Sequence, residues 1–169
     1  GGKDTPLEMS CRAAATYAKQ LLDERNNVAL IIYGESIERI DLDRGEHHLF
    51  KILTALSSAT PTGNLKLEIV MKDMLPYIPS GSPIILFSSL DDDHTISEAF
   101  TNTISRGYTI TTISPSSLDF EEKMKRIPAQ PLLVARIERD NMISEIRSFG
   151  MQVGDWKSDE AVNTALQGV

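Results

Sequence analysis

Cysteine occurs once in these 169 residues, as Cys11, so no disulfide can form within the chain. Such usage predicts a fold held by its own packing in a reducing, cytoplasmic setting. No apolar run approaches the roughly 20 residues that a membrane-spanning helix needs, and the polar start lacks the character of a signal peptide. Positive charge is scarce too. Lys and Arg number 17 against 24 Asp and Glu, for a net charge of -7 and a pI near 5.0. Phosphate-rich surfaces are repelled by that balance, which argues against nucleic acid and anionic membranes as nonspecific partners. The acids are scattered along the chain without forming a tail. There is no Gly-x-Gly-x-x-Gly, no Walker sequence and no Gly-x-Ser-x-Gly elbow, so nucleotide binding and elbow-type serine hydrolysis find no support. Repeats and low-complexity tracts are missing as well.

What is present fits one globular domain. Hydrophobic residues make up 41% and charged residues 24%, and the length suffices for one core but not two. The spacing predicts a core over 5–127 and a C-terminal helix-strand-helix extension over 128–169.

A helix opens with Thr5 as N-cap, Pro6 at its first position and Glu8 completing a capping box. Leu7, Cys11, Ala14, Ala18 and Leu21 recur at helical spacing and predict its buried face. Val28-Ala-Leu-Ile-Ile-Tyr33, Ile84-Ile-Leu-Phe87 and Tyr108 to Ile113 are continuous apolar runs, the pattern of strands covered on both faces. They are expected to be parallel neighbours in one sheet. Ser36 to Leu42 alternates and predicts a short edge strand.

Helices are expected over Glu46 to Ser58, from an Asn64 cap to Pro76, and from a Thr95–Glu98 capping box to Gly107. Beyond a loop at Ser114 to Ser117 come a short amphipathic helix to about Arg126 and a linker marked by Pro128 and Pro131. Leu132 to Phe149 predicts a long helix, although Leu132 to Ala135 could also be a strand. Met151 to Trp156 is a last strand, and Ser158 caps a terminal helix through Leu166. Alternating strands and helices imply an α/β fold, a doubly wound and mainly parallel sheet in three layers.

Several segments together resemble the von Willebrand factor A-like domain of domain-of-unknown-function family fifty-eight. They are Asn27 to Gly34, Gly45 to Leu56, Thr62-Gly-Asn-Leu65, Ile84 to Ser89, and Gly150-Met-Gln-Val-Gly-Asp-Trp156 before a helix ending at Ala165-Leu166. The parent fold carries a metal-ion-dependent adhesion site at the carboxyl ends of its strands, where open α/β sheets generally place ligands. That site needs an Asp-x-Ser-x-Ser loop, a Thr from a second loop and an Asp from a third, because Mg²⁺ wants hard oxygen ligands. The resemblance places the first strand and its Asp-x-Ser-x-Ser before Gly1, so the sheet is expected to lack that strand. Gly63 stands where the Thr belongs, next to Thr62, and Ser88-Ser89 stands where a Ser-Asp pair belongs.

The resemblance therefore implies a protein-interaction module with a degenerate site at Thr62, Gly63, Asn64, Ser88, Ser89 and Asp91, holding no metal of its own. It further implies a partnership with a MoxR-type AAA ATPase in protein assembly or maturation. Two alternatives stand beside it: a Mg²⁺-dependent domain completed by residues upstream of Gly1, and a small hydrolase using Asp91 to His94. An exposed gap in the sheet would also favour a homodimer formed by strand exchange.

Other clusters have plainer readings. Asp91-Asp92-Asp93 suits the N-terminus of the helix that follows. His47 and His48 point about 100° apart on a helix and are expected to be a solvated pair. Cys11 is expected to be a small core residue, and Tyr77 and Trp156 packing anchors.

Overall fold

A computed structural model describes residues 5–90, 93–115, 129–148 and 152–156. Helix α1 spans Pro6–Asp23 and opens as its cap predicts. The Thr5 amide donates to the Glu8 carboxylate at 2.7 Å, and the Glu8 amide donates to the Thr5 hydroxyl at 3.2 Å. Strand β1 (Val28–Tyr33) turns at once into β2 (Ile37–Asp43). Then follow α2 (Glu46–Ser57), α3 (Leu67–Met74), a 3₁₀ turn at Leu75–Tyr77 and β3 (Pro83–Phe87). Helix α4 (Ile96–Ser105), β4 (Thr109–Pro115), α5 (Ala129–Ser148) and β5 (Gln152–Trp156) complete the described chain.

β3, β4 and β5 form a parallel sheet with β4 in the middle, each connection carrying a helix. β4 is buried along most of its length, as a central strand must be. Both faces of the sheet are covered. Leu86, Ile110 and Val153 pack with Leu67, Met71, Phe100 and Ile146 from α3, α4 and α5. On the other face Ile113, Ile85 and Phe87 meet Met9, Ala13 and Tyr17 of α1. The α/β class and the parallel sheet thus follow the pattern of the sequence.

One expectation is corrected. The run at Val28 does not join this sheet: β1 pairs antiparallel with β2, and the two make a separate hairpin among the described residues. Gly34 to Ser36 is a tight turn that brings the next segment back onto β1. A continuous apolar run reports coverage, not which neighbour supplies the hydrogen bonds. Coverage is also incomplete, since no residue of β1 is fully buried and only Leu86 is in β3.

Smaller corrections share one cause, tertiary contacts overriding local signals. The fully buried positions of α1 are Met9, Ala13, Ala18 and Leu22, whereas Leu7, Cys11, Ala14 and Leu21 are half-buried. The spacing of Leu49, Ile52, Leu53 and Leu56 predicts one buried face on α2, but Leu53 is exposed. His48 is buried and donates to the Val28 carbonyl while His47 faces solvent, as the 100° offset allows. α3 begins at Leu67 without an Asn64 cap, and Thr95 makes no side-chain cap on α4. The spacing of Ile96, Ala99, Phe100 and Ile104 predicts the inward face of α4, but Ile104 is exposed and Thr103 is buried. Pro131 sits in the first turn of α5, where proline is tolerated, rather than in a linker, and Leu132 to Ala135 is helical. Tyr77 is 60% exposed, with the Arg39 guanidinium 3.6 Å over its ring. The expected segments at 116–128 and 158–166 lie outside the described residues.

Candidate functional site

The loops after β1 and β3 lie on one rim, joined by the segment that runs into α3. Tyr33, the last residue of β1, is hydrogen-bonded to Ser88, which follows β3. The Leu65 amide donates to the Gly34 carbonyl at 3.1 Å, and the Leu67 amide donates to the Asp93 carboxylate at 2.7 Å. Thr62 and Gly63 lie against the turn after β1. A Cβ on Gly34 would collide with the Thr62 carbonyl, and one on Gly63 with the backbone of Gly34 and Glu35. Gly63 also has φ +89°, a conformation that glycine adopts freely. This rim is therefore packed main chain on main chain.

The expected site residues separate into three groups. Thr62, Gly63 and Ser88 come together on the rim through these contacts, while the Ser89 carbonyl accepts from the Ser114 hydroxyl at 3.1 Å. Asn64 is exposed and caps nothing that is described. Asp91 lies outside the described residues. The Thr62 hydroxyl is engaged with that of Thr60 at 3.0 Å, and the Ser88 hydroxyl accepts from the Leu90 amide at 3.2 Å. Leu90 has φ 61°, so the turn after β3 is held in a left-handed conformation around that bond.

Asp93 was expected to favour the start of the following helix, and it does more. One carboxylate oxygen accepts from the Leu67 amide, the other from the Thr95 amide at 2.9 Å and the Thr95 hydroxyl at 2.6 Å. Burial alone would raise its pKa. The three hydrogen bonds and the charge of Lys66 outweigh that and hold the carboxyl below its ordinary value. Tyr33 moves the other way, kept protonated by burial despite its bond to Ser88, with Asp93 adding to the rise. Asp93 thus ties the starts of α3 and α4 together, with three protein donors already on its carboxylate. Among the described residues no group of three His, Cys, Asp or Glu could hold a metal.

Arg139 of α5 gave no signal in the sequence. Buried to 6% exposure, it donates to the Ser89 carbonyl at 2.8 Å and to the Ser114 carbonyl and hydroxyl at 3.2 and 2.8 Å. It clamps the carboxyl ends of β3 and β4 to α5.

Below the rim a cavity of about 420 Å³ runs between β1 and β3. α1 lines one side with Leu7, Cys11, Ala14, Ala18 and Leu21, the stripe expected to be its buried face. α3 lines the other with Leu67, Val70, Met71 and Met74. Cys11 is thus neither core nor surface. Burial raises its thiol pKa, and Glu8 adds to the rise, so it rests as the neutral thiol. No helix among the described residues is long and apolar enough to cross a membrane. The chain matches no known family model and no curated protein.

Proposed function

We propose that the chain is a protein-binding module of the von Willebrand A-like kind, doubly wound, whose cation site is degenerate. One observation carries this: the rim at the carboxyl ends of β1 and β3 offers main chain and hydroxyls, and its described carboxylate, Asp93, already accepts from two amides and a hydroxyl. A hard divalent cation needs several oxygen ligands, anionic ones above all. A partner surface needs only donors, acceptors and shape. The partner that the resemblance points to is a MoxR-type AAA ATPase. The hydrolase reading draws no support from Asp93, whose carboxylate is taken up in holding the starts of α3 and α4.

Calorimetric titration with millimolar Mg²⁺ tests the cation half of this reading, and no specific heat is expected. A stoichiometric isotherm abolished by Asp91→Ala would overturn it. Binding of a purified MoxR-type ATPase, measured with and without Mg²⁺ and EDTA, tests the other half. Affinity unchanged by chelation is expected.

A further inference from the structure

Among the described residues β1 and β3 each turn one edge to the cavity, whereas the outer edge of β2 meets solvent. β2 is bonded to β1 alone, and five of its seven residues are exposed. Its backbone phase is fixed at the turn. The Gly34 amide donates to the Ser36 carbonyl at 3.1 Å, and the Ile32–Glu38 and Leu30–Ile40 pairs follow in the same phase. Ile37 and Arg39 therefore point their amides and carbonyls away from β1. The side chains divide by face. Glu38 and Ile40 lie toward α2, where they line a surface groove with Phe50 and Ala55. Arg39 and Asp41 share the other face, joined by an ion pair at 2.7 Å, with the guanidinium over the Tyr77 ring.

The order of charges along β2 is complementary to itself. About a two-fold axis through Ile40, an antiparallel copy sets Arg39 opposite the partner's Asp41, and Asp41 opposite the partner's Arg39. Ile40 meets the partner's Ile40 between them, and Glu38 falls opposite the partner's Leu42. A register shifted one step either way sets Arg39 or Asp41 opposite its own counterpart, and like charges directly opposed destabilise a strand pair. Directly opposed residues share a face, so α2 of both copies comes to the same side of the joined sheet. Phe50, 67% exposed, and the groove it shares with Ile40 stand there beside the seam. A lone foreign strand would fill the edge and leave Phe50 in water, whereas a second copy brings its own α2 to cover it. Each copy carries a charge of -7, and about 0.15 M salt screens that repulsion beyond about 8 Å.

The geometry points to the outer edge of β2 as a self-association site. Two copies of this chain pair β2 with β2, antiparallel about a two-fold at Ile40, and their hairpins become one continuous sheet with Phe50 and the α2 groove covered on one face. The site uses neither the rim nor the cavity, so it stands or falls separately from the proposed function.

Sedimentation equilibrium of the whole protein at neutral pH, in about 0.15 M salt, reads the association directly. Arg39→Asp sets carboxylates against carboxylates across the seam, and Asp41→Arg sets guanidinium groups against each other. Each should raise the dimer Kd at least about tenfold, and the double variant, in which opposite charges face again, should recover it. Both positions are exposed, so circular dichroism of all three variants should match the wild type. The register has its own readout. Ile40→Cys in a Cys11→Ser background should oxidise to a disulfide-linked dimer, because residues opposed at the two-fold lie within disulfide reach. A wild-type chain still monomeric at about 1 mM overturns the inference, as does a dimer indifferent to the two charge reversals. So does a double variant that fails to recover, or an Ile40→Cys protein that yields no linked dimer.

Discussion

At the scale of single residues, Asp93 does the most with the least. Three protein donors converge on it, from α3 and from the turn before α4. Asp93→Ala should cost about 1–2 kcal/mol, the lower part of the range for charged hydrogen bonds because the group is partly solvated. Urea unfolding at pH 7 measures this. The pH dependence has a definite sign. A carboxyl held below its ordinary 3.8 stabilises the fold above that value, and the contribution is lost as pH falls through the lowered folded pKa. The wild-type protein should therefore lose more stability than Asp93→Ala as pH falls below about 4. Parallel curves for the two proteins would rule this out. The sequence showed an acidic cluster before a helix, and helix-dipole chemistry was the right reason to notice it. It could not show that Asp93 also reaches Leu67, 26 positions earlier, because nothing local encodes that approach. His48 and Arg139 were illegible for the same reason, since each takes its partners from distant carbonyls.

At the scale of elements, α1 and β3 show how periodicity can be right and still mislead. The Leu7, Cys11, Ala14, Ala18 and Leu21 stripe is a real apolar face. It points into the cavity, so four of its five members remain half-buried. The full burial went to Met9, Ala13, Ala18 and Leu22, which meet β4 and the α2 side of the hairpin. Strand β3 was legible as a strand, while its open edge was not, because apolar side chains are silent about hydrogen-bond partners. Amide exchange should make that edge visible. The amides of Ile84, Leu86 and Ser88 should exchange slowly, and those of Ile85 and Phe87 much faster, in strict alternation. Uniform protection along β3 in exchange spectra would mean that both edges are already paired.

At the scale of the whole molecule, α1 joins the two sheets. It packs on the hairpin through Ala18 and Leu22 and on the parallel sheet through Met9 and Ala13. The α/β class was legible from alternating elements, yet the division into a hairpin and a three-stranded sheet was not. Met9→Ala removes a side chain that is 4% exposed and should cost about 2–5 kcal/mol. Because α1 serves both sheets, the variant should still unfold in one transition, with far-ultraviolet circular dichroism and tyrosine fluorescence coinciding. Two separated transitions would show the hairpin and the parallel sheet to be independent.

Having an open edge on each side of the same gap has a further consequence. Where a strand is added to the outside of a sheet, it exposes a fresh edge of its own, and growth can continue without limit. A strand seated between β1 and β3 would saturate both edges in one step and leave no new template behind.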